Sequence, residues 1–233
     1  MEESSPIDLL STETWRLFRI ISETVDGFEA MSKAGPCVSI FGSARATPNN
    51  PLYKETEAIS KLLVSAGFGI ITGGGPGLME AANKAAFEAG GRSIGLHIHL
   101  PHEEGYNNYL TIRTEYRYFF IRKLMFVKYA QAYVVMPGGM GTIDEFSEAF
   151  VLTQTKRIRP FPIILYKSQF WSGLVNWIRQ TMSKEGFIEP SEVDALLNIC
   201  DTPEEVLKVI QEKVPIAITH KKNKHNDSHH TDP

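Results

Sequence analysis

The strongest constraint on this chain is what surrounds its glycines. Twice, a short apolar run enters a Gly-Gly-x-Gly turn and then passes into a segment of helical period: "TGGGPGLMEAA" and "MPGGMGTIDEF". Short runs that are apolar throughout read as strands buried on both faces, which is the environment of a parallel sheet. The same pattern recurs along the sequence. Candidate strands lie at Cys37–Phe41, Gly69–Thr72, Ser93–Ile98, Ala132–Met136, Pro162–Tyr166 and Leu196–Cys200. Helical segments fall between them, near Pro51–Ala66, Gly77–Ala89, Tyr118–Ala130, Thr142–Thr155 and Phe170–Ser183. A final helix starts after Thr202, a good N-cap before Pro203, and runs to about Lys213.

Strands that alternate with helices predict an α/β fold: a single-domain, Rossmann-like, doubly wound parallel sheet with helices on both faces. The expected division is an N-terminal helical extension over 1–35, a nucleotide-binding catalytic domain over 36–214 and a disordered, polar, His-rich tail over 215–233. Within the extension, "TETWRLFRIISETVDGFEAM" sets Trp15, Phe18, Ile21 and Val25 on one stripe. A net charge of -3 gives no field to recruit nucleic acid or an acidic membrane surface. No apolar run approaches the roughly 20 residues of a membrane helix. The start, "MEESSPIDLL", lacks the basic and apolar regions of a secretory signal. Cys37 and Cys200, each in an apolar setting, read as reduced core residues, so a cytoplasmic location is expected.

The two turns share the pattern Gly-Gly-x-Gly-x-x-acid: Gly74, Gly75, Gly77 and Glu80, then Gly138, Gly139, Gly141 and Asp144. Glycine lets backbone turn with positive φ and approach a ligand closely. The free N–H groups and dipole of the helix start then make an anion site. Plain strand-to-helix connections use the same residues without a ligand. Neither turn completes a dinucleotide fingerprint, since Leu78 and Asp144 stand where the last glycine belongs, and neither ends in Gly-Lys-Ser/Thr. A monophosphate fits better than a pyrophosphate.

Asp144 and Glu145 then place negative charge beside a predicted anion site. One reading is a capping box, Thr142-Ile143-Asp144-Glu145, with Thr142 as N-cap. The other aims the acid past the phosphate at the ribose, where carboxylates perform glycoside chemistry. Upstream, "EYRYFFIRKLMFVKYA" puts Tyr118, Arg122, Met125 and Tyr129 on one helix face. Arg122 there either snorkels to solvent or supplies a fixed cation for Glu145 or the phosphate. His97, His99 and His102 cluster loosely, without a carboxylate or cysteine at ligand spacing, and read as structural or rim residues.

With these residues in view, "PGGMGTIDE" resembles the PGGxGTxxE signature of the LONELY GUY (LOG) family of cytokinin riboside 5'-monophosphate phosphoribohydrolases, related members of which were labelled "lysine decarboxylase". "FFIRKLMFVKYA" is similar to the family's Arg-Lys helix; "FGSAR", "GGGPGLMEAAN" and "LPHEEGYNNY" resemble its longer bacterial branch. The resemblance implies hydrolysis of the N-glycosidic bond of a nucleoside 5'-monophosphate, AMP or an N6-modified AMP, to free base and ribose 5-phosphate. It implies Arg122 and Glu145 as the catalytic pair. Substrate contacts come from Gly74, Gly75, Lys123, Gly138, Gly139, Met140, Gly141, Thr142 and Asp144, with Glu103 or Glu104 as a ribose-binding acid. It implies no metal, no organic cofactor and a homodimer or higher homo-oligomer. Val151 departs from the threonine that many members carry there.

Two rivals remain at this level. One is a non-catalytic carrier of a nucleotide or of molybdenum cofactor, built on similar loops. The other is a pyridoxal-phosphate decarboxylase, for which Lys123 is the one lysine near the motifs, though no feature marks it as a Schiff-base residue.

Overall fold

The structure, a computed structural model, describes residues 6–99, 105–159 and 161–214, with side chains described from residue 13 onward. Glu103, Glu104, His102 and the His-rich tail lie outside the described residues. The strands are β1 (Cys37–Phe41), β2 (Gly69–Thr72), β3 (Ser93–Ile98), β4 (Ile112–Tyr116), β5 (Ala130–Val135), β6 (Ile163–Tyr166) and β7 (Leu197–Cys200). All pairings are parallel, in the order β4-β3-β2-β1-β5-β6-β7. The helices are α1 (Pro6–Met31), α2 (Pro51–Ser65), α3 (Leu78–Glu88), α4 (Phe119–Tyr129), α5 (Met140–Gln154), α6 (Ser168–Trp177), α7 (Pro190–Leu196) and α8 (Pro203–Lys213).

The sheet separates two apolar cores. Successive strand side chains point to opposite faces, so Val38, Ile40, Ala132 and Val134 pack with α2, α3 and α8, while Phe41, Tyr133 and Val135 pack with α1, α4, α5, α6 and α7. Both faces are covered, which is why the central strands β1, β2 and β6 are buried at every position. The thiols of Cys37 and Cys200 are buried and free, and burial pushes each up to about 11. Among the described residues no helix is long and apolar enough to cross a membrane.

Strand order reverses at β1. From there the chain builds outward through β2, β3 and β4, then returns to the other side of β1 with β5. In open α/β sheets ligands bind outside the carboxyl ends of strands at such a switch point. Here those ends carry the loop after β1 and the glycine turn after β5.

The structure adds three features to the sequence reading. β4 carries no continuous apolar run because it is an edge strand, paired with β3 alone among the described residues, and its "IRTEY" alternates between buried and wet positions. α7, a short helix opened by Pro190 with a Glu189–Glu192 capping box, was also unforeseen. The stripe on α1 faces outward: Trp15, Phe18, Ile21 and Val25 are 66%, 59%, 50% and 56% exposed. The inner face of α1 is carried by Ile20 and Met31, and by Gly27, where a Cβ would lie 2.7 Å from Met125 Cε and 2.8 Å from the Tyr116 hydroxyl.

A buried polar network fixes the first glycine turn. The Asn83 amide of α3 donates to Ser93 Oγ at 3.0 Å and to the Ile94 carbonyl at 3.3 Å. Its carbonyl accepts from Thr72 Oγ1 at 2.5 Å and from Asn107 Nδ2 at 3.0 Å. Asn107 also donates to the carbonyls of Gly74 and Gly75, and the Gly74 N–H donates to Thr72 Oγ1. Deleting one member of such a network strands several buried partners. Asn83→Ala is therefore expected to lower stability by about 2–4 kcal/mol, read as a shift in the denaturant midpoint. A midpoint within error of wild type would show the network to be energetically idle.

Candidate active site

The second glycine turn is locked in place from behind. Met136 donates to the Phe41 carbonyl, and Ser43 N–H donates to the Pro137 carbonyl at 3.1 Å. At Gly138 a Cβ would sit 2.2 Å from Thr142 Oγ1 and 3.1 Å from the Ser43 nitrogen, so no side chain fits. Gly139 and Gly141 have open space around the Cβ position instead, and the backbone there is accessible. α5 starts at Met140 with Gly139 as N-cap. The N–H groups of Met140 and Gly141 precede the first intrahelical bonds, which Thr142 and Ile143 make to the Gly139 carbonyl, and such a helix start can bind an anion. Met140 itself is 77% exposed.

This helix start overturns the capping-box reading. Thr142 lies inside the helix, its N–H bonded to the Gly139 carbonyl, and Glu145 falls in the second turn rather than the first. The Glu145 carboxylate is free for another partner, and that partner is Arg122: Nη2 to Oε1 is 3.2 Å. Both side chains are largely buried, and Arg122 lies over the rings of Phe119 and Phe126 at 5.2 and 5.8 Å. Arg122 therefore does not snorkel away. A Cβ added at Gly73 would lie 4.0 Å from its Nη1, so the same guanidinium lies beside the first glycine turn.

The matching turns are not equivalent. Gly77 holds φ +70 against the Ser43 and Ala44 carbonyls, where a Cβ would lie 2.4 Å from Ser43 O. Glu80, the counterpart of Asp144 in the shared pattern, accepts from Tyr53 Oη at 3.0 Å and so serves the packing of α2 on α3. The loop after β1 sits between the turns: it donates through Ser43 N–H to one, and accepts from Leu78 N–H at 3.0 Å from the other.

Lys123, the residue after Arg122, reaches Asp144 at 2.8 Å and Glu148 at 3.2 Å. Burial works against its charge, but the two carboxylates outweigh it, and its ammonium sits above the ordinary lysine range. Glu148 was not foreseen, although it lies three residues after Glu145 and four after Asp144 on the same helix, where side chains are neighbours. Thus α4 and α5 are stitched by two cations and three carboxylates.

Burial dominates the proton affinity of Glu145 and pushes it up to about 7. Arg122 and Lys123 pull it down, while Glu148 and Asp144 add to the rise. Arg122 acts here as the fixed cation for Glu145 and lowers its proton affinity, but desolvation of the carboxyl is the larger effect.

Away from these turns, His97 is buried against the Tyr106 ring, and His99 pairs with Glu115 at 3.3 Å on the surface. A groove of about 820 Å³ between α1 and the β4 edge is lined by residues of both signs, including Arg19, Glu23, Glu115 and Arg117. None of its lining residues belongs to either glycine turn. Val151 lies half exposed on α5, beyond Glu148.

Because folded Glu145 binds its proton more tightly than an unfolded carboxyl, whose range is near 4.5, its stabilising contribution is full below that range and is lost as pH rises through about 7. Glu145→Gln is thus expected to be more stable than wild type at pH 8, by about 2–3 kcal/mol, with the gain largely gone at pH 5. Thermal melts at the two pH values check this. An equal difference at both would mean that burial of the charge is not the cause.

Comparisons with known proteins bear on the family and the fold. The family model described as "Possible lysine decarboxylase" matches residues 79–210. A probable cytokinin riboside 5'-monophosphate phosphoribohydrolase of Oryza sativa subsp. japonica is 27% identical over 178 residues, covering 72% of this chain and 80% of the relative. A cytokinin riboside 5'-monophosphate phosphoribohydrolase of Rhodococcoides fascians is 23% identical over 160 residues, covering 66% and 79%. Among solved structures, the molybdenum cofactor binding protein of Rippkaea orientalis superposes with a TM-score of 0.56 at 21% identity, over 77% of this chain and 96% of that one. The molybdenum cofactor carrier protein of Chlamydomonas reinhardtii gives 0.52 at 20%, over 76% and 97%. At such identities the structural likeness carries the fold alone. The family model spans more than half of the chain and both helices of the Arg122–Glu145 pair, and the chain belongs to that family, the LONELY GUY proteins.

Proposed function

We propose that this protein hydrolyses the N-glycosidic bond of a nucleoside 5'-monophosphate, AMP or an N6-modified AMP, releasing free base and ribose 5-phosphate. The observation that carries this reading is the buried Arg122–Glu145 pair, set one helical turn beyond a glycine turn that presents open amides. The phosphate docks on the Gly139–Thr142 helix start, which holds the ribose over Glu145. As the base departs, the sugar gains oxocarbenium character, and the Glu145 carboxylate stabilises it or directs water to the anomeric carbon. The water supplies a hydroxyl to the sugar and a proton to the leaving base. An acid titrating near 7 suits proton transfer at neutral pH. Curated relatives named for this reaction support the substrate class.

The decarboxylase reading is disfavoured by Lys123. A Schiff-base lysine needs a lowered proton affinity, whereas two carboxylates hold this one charged. The carrier reading differs in its outcome, tight binding without turnover, and it gives no task to a buried acid with a raised pKa.

Purified protein incubated with AMP and with isopentenyladenosine monophosphate should release free base. Glu145→Gln and Arg122→Ala should each lose activity by roughly 10³-fold or more with the fold retained. Unchanged turnover in both variants refutes the assignment. In wild type, kcat/KM should fall below an apparent pKa near 7, the acid limb of Glu145. Retained activity in Arg122→Lys with that limb unmoved would show the ion pair to be irrelevant to the acid.

A further inference from the structure

The site has more anionic than cationic side chains before any ligand arrives. Arg122 is engaged by Glu145, and Lys123 lies between Asp144 and Glu148. A phosphate monoester brings almost two further negative charges near neutral pH. Helix-start amides attract it, but the neighbouring carboxylates repel it. A cation not already committed would resolve the conflict.

The loop after β1 holds one. Ser43 joins the two glycine turns through its N–H and carbonyl, and Arg45 follows two residues later, its own N–H bonded to Ser43 Oγ at 3.1 Å. Arg45 is exposed, and among the described residues its guanidinium has no ion pair or hydrogen bond. The backbone that carries it is packed on both sides: a Cβ at Gly77 would lie 2.4 Å from the Ser43 carbonyl oxygen, and one at Gly138 would lie 3.1 Å from the Ser43 nitrogen. A long, planar, permanently charged side chain thus starts from the wedge between the two turns. Guanidinium is also the group that best matches phosphate oxygens two at a time.

We propose that Arg45 is the cation that recognises the ligand's phosphate, and that it thereby makes the site select nucleotide over nucleoside. The proposal rests on the phosphate-site reading of the preceding subsection. Arg45 touches no reacting bond, so its removal changes binding and spares the chemical step.

The test compares wild type, Arg45→Ala and Arg45→Lys on AMP and on adenosine, with ribose 5-phosphate titrated by calorimetry into each. The KM for AMP and the Kd for ribose 5-phosphate are expected to rise roughly tenfold or more in Arg45→Ala. The kcat stays within about twofold and the melting temperature is unchanged. Activity on adenosine, already low, does not move, and Arg45→Lys recovers part of the loss. Equal ribose 5-phosphate affinity in wild type and Arg45→Ala overturns the proposal, as does an equal loss on AMP and adenosine. So does a wild type that binds no ribose 5-phosphate. Should wild type bind ribose 5-phosphate yet cleave no nucleotide, the glycosidase reading falls, and the calorimetric comparison still decides Arg45.

Discussion

The site depends on a contest between desolvation and one ion pair. Glu145 is buried where its charge is costly, and Arg122 compensates only in part, which leaves the acid titrating near neutrality. The contest is set by tertiary structure. α5 must begin at Met140 for Glu145 to face inward, and α4 must follow the edge strand β4 for Arg122 to arrive from the other side. The guanidinium lies against the rings of Phe119 and Phe126 and is largely buried. Stability is given up at the position where the chemistry is expected, a trade common to active sites.

The parallel sheet makes this arrangement possible by putting every turn of interest on one rim. Because β1 is the switch strand, the loop that follows it has a neighbour on each side, and Ser43 bonds to both. The two glycine turns share a sequence pattern yet do different work. Around the first, Glu80 ties helices together; around the second, the acids face two cations.

Much of this was legible in the residues. Apolar runs placed β1, β2 and β3 at their observed bounds, because strands buried on both faces have no alternation to confuse. β4 was missed for the converse reason: an edge strand is half wet. β5 starts two residues earlier than its apolar run suggests, at a register shift opposite Cys37 and Val38 that no sequence pattern announces. Thr142 through Glu145 spelled a capping box, and only the backbone, with the Thr142 N–H on the Gly139 carbonyl, shows that the helix starts earlier. Arg122 and Glu145 were legible as a pair through their motifs. Glu148 was legible in principle from its helical spacing, whereas the sign of the Glu145 shift was not, since it depends on how much protein surrounds the carboxyl.

The Asn83 network bears on how such a protein can change over time. Four side chains from distant parts of the chain, Thr72, Asn83, Ser93 and Asn107, satisfy one another inside the fold with little spare bonding capacity. Each is a compromise that only the other three make acceptable. Drift at any one of them is penalised unless a neighbour shifts in concert, so this quartet should be inherited as a block, while the exposed loops around it diverge freely.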